Sequence, residues 1–165
     1  SGLVLHQYLK SLEGQEPMRA ARRTLTVDSN VFIAALKADE PQSEKCAEII
    51  HKVADIFLLS EPSIIYQEVC GTLARRVGLD VADAAKQQLD LIIHPRLLAP
   101  CNKAFCVSAY CLCSEYDIYA IDALYFRAAM DNGAILVSLD KEDFVDRVKS
   151  KKPPIEVYHV SDFPY

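Results

Sequence analysis

TLTVDSNVFIAAL, residues 24–36, reads as a strand passed straight into a helix. Residues 24–27 are short, apolar and β-branched, the composition of a buried strand. Asp28 closes that strand, and Ser29 and Asn30 open a helix carrying Val31, Phe32, Ile33 and Leu36. In an open parallel sheet, ligands bind in the crevice beyond the carboxyl ends of the strands. Asp28 is therefore expected at the mouth of the molecule rather than in its core.

Outward from this unit the alternation continues. Ser43 can cap a second helix with Cys46, Ile49, Ile50 and Val53 inward, and residues 56–59 form a second strand bounded by Ser60-Glu61-Pro62. A helix then runs to Val77 and stops at Gly78, and residues 80–93 make another that His94-Pro95 ends, before a third strand at 96–99. Asn102 caps a helix to about Tyr116. Residues 118–130 read as a helix with Ile121, Leu124, Tyr125 and Ala128 inward, closed by Asn132-Gly133. Residues 134–139 are a clear strand followed at once by Asp140, then a short helix at 141–149 and a last strand at 155–160. Strands alternating with helices at this spacing predict βαβ units and a parallel sheet, an α/β fold.

With 165 residues and 51% hydrophobic content the chain supports one core, and a single domain over residues 24–165 is expected. Residues 1–23 form an arm, with Leu5, Leu9 and Leu12 at helical spacing and an initial Ser-Gly expected to be a cleavage scar. A net charge of −5 argues against a surface coated for non-specific nucleic-acid binding. Six cysteines in a chain with a good apolar core do not read as a secreted disulfide framework, so a reducing, cytoplasmic setting is expected. No apolar run is long enough for a membrane span.

Asp28 and Asp140 each follow a strand, so a parallel sheet puts both on one edge. Asp122 stands near a helix start, where the dipole favours an anion, and Glu68 lies about one turn inside the helix after the second strand. Two carboxylates about 4 Å apart repel by roughly 4 kcal/mol at an effective dielectric near 20, so such a cluster calls for protons or cations. Oxygen ligands of this kind suit Mg²⁺ or Mn²⁺, which can activate water for in-line displacement at phosphorus. Phosphodiester hydrolysis is the natural chemistry. Each acid alone also has a structural account: Asp28 and Asp140 as helix caps, Asp122 as a first-turn charge, and Glu68 in a solvated row with Arg75. Their shared position relative to the strands tips the balance toward a site.

Four segments in order, VDSNVFIAAL (27–36), IIYQEVCGTLARR (64–76), AIDALYFRAAM (120–130) and ILVSLDKEDF (135–144), resemble the PIN-domain family of nucleases, including toxin ribonucleases of VapC type. The resemblance implies a three-layer α/β/α sandwich around a central parallel sheet and a Mg²⁺- or Mn²⁺-dependent endoribonuclease acting on single-stranded RNA. It makes Asp28, Glu68, Asp122 and Asp140 the catalytic, metal-holding acids, with Asn30 and Ser138 as supporting residues. The chain exceeds a minimal toxin by its arm and by a stretch around 79–101, so a toxin with an antitoxin partner and a freestanding RNA-processing enzyme both stand. A homodimer is a further expectation. The alternative is a catalytically silent PIN-like scaffold or an RNA- or protein-binding module. A receiver-like phosphotransfer domain is weaker, because no lysine is evident at the end of a later strand.

Arg75, Arg76 and Arg127 share helices with Glu68 and Asp122 and are candidates for phosphate contacts, with solvated helix charge as the plainer account. Cys101, Cys106, Cys111 and Cys113 lack the spacing of zinc knuckles and are expected to be small core residues. The histidines are scattered, and Tyr110, Tyr116, Tyr119 and Tyr125 are expected to pack in the core more than to stack on bases.

Overall fold

A computed structural model describes residues 21–53 and 55–165, so the helix-like stretch expected in the arm lies outside the described residues. Strand β1 (Arg23–Val27) leads into α1 (Ser29–Leu36) and α2 (Ser43–His51), followed by β2 (Phe57–Pro62), α3 (Ile64–Arg76), α4 (Leu79–Ile92) and β3 (Ile93–Ala99). Then come α5 (Lys103–Tyr116), α6 (Ala120–Asp131), β4 (Ile135–Ser138), a π-turn at Lys141–Val145, α7 (Asp146–Ser150) and β5 (Val157–His159). A 3₁₀ turn at Val160–Asp162 follows.

The five strands form one sheet in the order β3-β2-β1-β4-β5, and each pairing is parallel. Leu25 pairs with Leu59 on one side and with Ile135 on the other, which puts β1 at the centre. Strands covered on both faces read as continuous apolar runs, and all four residues of β4 are buried. β2 and β3 lie on one side of β1 and β4 and β5 on the other. The right-handed rule for parallel crossovers then puts α1–α4 on one face and α5–α7 on the opposite face. The result is the three-layer sandwich. Helix α6 packs across β2, β1 and β4, burying Tyr125, Phe126, Ala128 and Ala129, and ends at Gly133, whose φ of 57° needs no side chain in the way.

Several boundaries differ from expectation. Ser60, Glu61 and Pro62 lie inside β2 and are buried, because the strand continues to the carboxyl edge of the sheet. β3 begins at Ile93, so His94 and Pro95 are strand residues. The register between β2 and β3 slips between Leu59 and Glu61, and an edge strand with such an irregularity tolerates a proline that cannot donate. Ile121 is 39% exposed rather than inward, since α6 starts later, at Ala120. Cys106 and Cys111 are exposed on α5 and only Cys113 of that group packs against the core, so the expected core role fails for both exposed thiols. Tyr116 and Tyr125 are buried as expected, whereas Tyr110 and Tyr119 are exposed.

Candidate active site

The strand order reverses between β1 and β4, and the crevice at such a switch point is where open α/β sheets bind ligands. Asp28 stands immediately after β1, and Asp140 two residues after β4. The ends of those strands are tied by side chains. Ser138 Oγ donates to Asp28 Oδ2 at 2.7 Å and accepts from the Asp140 backbone N–H at 3.0 Å. Asn30 Nδ2 donates to Asp28 Oδ2 and to Ser138 Oγ, both at 3.2 Å, and its Oδ1 accepts from the Leu139 N–H. A backbone donor on Oδ1 fixes which way the amide faces, so Asn30 locks Asp28 and Ser138 in one register.

The four acids differ in how they are held. Asp28 occupies the cap position of α1 without making a side-chain cap bond, and it is 4% exposed. Burial first, then the charges of Glu68 and Asp140, push its carboxyl up to about 6, against the lowering effect of the Ser138 hydroxyl. Asp122, in the first turn of α6, is raised to about 7, again by burial first and then by Asp28, Asp140, Glu68 and Asp143. Each of the other three acids thus acts on Asp122, which brings all four into one electrostatic neighbourhood. Asp140 Oδ1 accepts from the Asp143 N–H at 3.0 Å, so its cap reading holds. Glu68 Oε1 accepts from the buried Tyr125 hydroxyl at 2.7 Å, which anchors α3 to α6 beneath the crevice.

Three participants escape a reading of the sequence. Glu61 is fully buried. Its Oε1 accepts from the Val27 N–H at 2.7 Å and its Oε2 has no partner. Burial, reinforced by the Asp28 charge, holds this carboxyl well above its ordinary range. Its signal in the sequence was an acid directly after an apolar run, obscured by Pro62 as a presumed breaker. Tyr125 shows no such signal, because a buried tyrosine on an apolar face has the same pattern as any core aromatic. Asp143 adds charge next to Asp122 and is paired with Arg147 at 2.7 Å.

The candidate phosphate-binding arginines fall elsewhere. Arg75 and Arg76 are exposed in the last turn of α3, seven and eight residues beyond Glu68, about 10 Å along the helix axis. Arg127 Nη1 pairs with Asp131 at 3.4 Å, toward the end of α6 opposite Asp122. Arg147, paired with Asp143, also reaches the Asp117 carbonyl at 2.8 Å and lies 5.8 Å from the Tyr119 ring centre.

The donor set is all oxygen, and two of its acids are raised toward neutrality by burial first and then by their neighbours, so in kind the residues fit a hard divalent cation. Among the described residues no three His, Cys, Asp or Glu side chains are gathered tightly enough to enclose an ion by themselves. An ion that takes one or two carboxylates and keeps its waters does not require such a cage.

An all-parallel α/β sheet with Asp28 and Asp140 at its switch point, and Glu68 and Asp122 on helices within electrostatic reach of them, defines an acid-centred class of α/β domains. The chain belongs to the PIN domain family, whose family model matches residues 25–150, well over half its length. Among solved structures it is similar to VapBC2 from Rickettsia felis bound to a DNA fragment from its promoter, with a TM-score of 0.60, 15% identity, and coverage of 82% of this chain and 98% of that one. It is also similar to the Mycobacterium tuberculosis VapC20, described as a sarcin-ricin loop cleaving toxin, with a TM-score of 0.57, 15% identity, and coverage of 70% and 88%. VapBC-1 from nontypeable Haemophilus influenzae matches at a TM-score of 0.59 and 14% identity, over 84% and 99%. At these identities the likeness establishes the fold. No curated protein sequence matches the chain.

Proposed function

We propose that the chain is a divalent-metal-dependent endoribonuclease that hydrolyses phosphodiester bonds of single-stranded RNA, with Asp28, Glu68, Asp122 and Asp140 holding Mg²⁺ or Mn²⁺. The observation that carries this reading is Asp122, whose carboxyl is held up to about 7 by burial and by four other acids, Asp28, Asp140, Glu68 and Asp143. A divalent ion bound there would supply positive charge to the phosphate oxygens and lower the pKa of an attacking water. The protein's own groups do the positioning. Ser138 and Asn30 orient Asp28, the Asp143 N–H orients Asp140, and Tyr125 holds Glu68 from below. No side-chain nucleophile is required, so the products carry a 5′-phosphate and a 3′-hydroxyl.

VapC20 is described as a toxin and two other solved neighbours are named VapBC, and an antitoxin-type protein partner in the cytoplasm is part of this proposal. No helix among the described residues is long and apolar enough to cross a membrane, which is compatible with that setting. The second reading is a PIN-like scaffold that binds RNA or protein without chemistry. Incubation of end-labelled single-stranded RNA with Mn²⁺, with Mg²⁺ and with chelator separates the two. Cleavage that needs the metal, and that Asp28→Ala abolishes while the circular dichroism spectrum stays unchanged, supports the nuclease. Binding without turnover under every condition supports the scaffold.

A further inference from the structure

An apolar groove of about 390 Å³ runs between α1, α2 and α4, with Leu36, Ala47, Ile50, Val53, Leu91 and Ile92 in its walls. Leu36 is 45% exposed and Leu91 85%, and contiguous apolar surface of this kind marks an interaction site. Leu36 closes α1, about two turns from Asp28, so the groove faces the amino edge of the sheet, away from the acids. The same edge is where the chain enters β1. A second hollow of about 170 Å³ joins Arg22, Phe57 and Leu58 to Leu91 and Ile92. Leu91 and Ile92 thus border both hollows and link the groove to the point where the chain passes back into residues 1–20, outside the described residues.

That stretch has the composition the groove lacks. Leu5, Leu9 and Leu12 stand at i, i+4 and i+7, one face of a helix, with His6, Gln7 and Lys10 between them. We propose that residues 3–12 of the same chain seat in this groove, Leu5, Leu9 and Leu12 covering Leu36, Ile50 and Leu91. The tether allows it: nine residues from Leu12 to Ala21 reach about 30 Å when extended, against a domain radius of gyration of about 15 Å. A short tether holds its segment at an effective concentration of about 1 mM. A separate protein offering the same contacts at about 1 μM is outcompeted about a thousandfold, so any partner that uses this groove must bind it far better than the chain's own segment does.

The test is hydrogen exchange on the full chain, wild type against Leu5→Asp/Leu9→Asp, with mass in solution measured by light scattering over a range of concentrations. The expected result is that amides of α2 and of the end of α4 exchange about tenfold faster in the variant at unchanged mass, and that a peptide of residues 1–20 restores their protection. Unchanged exchange overturns the proposal. Lost protection accompanied by a fall from dimer to monomer also overturns it, by assigning the groove to a second copy. Neither readout depends on RNA cleavage, so the docking can fail or stand apart from the proposed activity.

Discussion

Asparagine at Asp122 removes one charge from the shared neighbourhood and keeps the shape of the side chain. In the unfolded chain this carboxyl titrates near 3.8, whereas in the fold burial and the charges of Asp28, Asp140 and Glu68 hold it up to about 7. Between those values the folded state binds more protons than the unfolded one, so stability is fully present below about 3.8 and is lost as the pH rises through about 7. Each tenfold in the proton equilibrium is worth about 1.4 kcal/mol, which sets a ceiling of about 4 kcal/mol at neutral pH, and solvent screening of this partly exposed carboxyl brings the cost to the metal-free fold down to about 1–2 kcal/mol. Urea unfolding in chelator at pH 4 and pH 7 measures this. Asp122→Asn is expected to match wild type at pH 4 and to exceed it by about 1–2 kcal/mol at pH 7, with an unchanged urea dependence. Saturating Mn²⁺ at a hundred times its Kd then raises wild type by about 2.7 kcal/mol and the variant much less. A variant no more stable than wild type at pH 7 would refute the claim that these acids repel one another across a single crevice.

Two further substitutions probe the supporting residues. Glu61→Gln keeps a neutral group able to accept from the Val27 N–H and should unfold within about 1 kcal/mol of wild type, whereas Glu61→Ala strands that buried N–H and costs about 1–3 kcal/mol in urea melts. Equal stabilities for the two variants would mean that the contact carries no weight. Ser138→Ala removes the donor that lowers the Asp28 carboxyl, so the acidic limb of the pH–rate profile for RNA cleavage should move to higher pH. A limb that stays in place shows that the hydroxyl does not govern the ionisation of Asp28.

The sheet was legible because its strands are short apolar runs, two of which end at chemically distinct residues: Asp28 after β1, and Ser138 closing β4 with Asp140 beyond it. Asn102 capped α5 as expected, its Oδ1 accepting from the Phe105 N–H at 3.0 Å. Legibility failed where the decisive contact joins residues far apart in sequence. Glu61 was hidden by the proline that follows it, since a carboxyl held by the backbone of the neighbouring strand exists only once β1 and β2 are paired. Arg147 was hidden for the same reason. Its guanidinium reaches Asp143 one turn away but also the Asp117 carbonyl thirty residues back, and no helical periodicity encodes that second contact.

The structure also removes a choice that the sequence posed as exclusive. A carboxylate that caps a helix was weighed against one that binds a ligand, yet Asp140 shows that one side chain can serve both ends. Its Oδ1 is taken by the Asp143 N–H, which stops the carboxylate from rotating, and a carboxylate has two oxygens. Its charge meanwhile acts on both Asp28 and Asp122. A capped acid is therefore a better candidate ligand than a free one, because the entropy of ordering it has already been met by the turn that follows β4. Asp28 reaches the same condition by another route, with Ser138 and Asn30 replacing the missing cap bond. The acids at the two ends of the switch point are fixed by local structure, and those on α3 and α6 are brought to them by the packing of Tyr125 against Glu68.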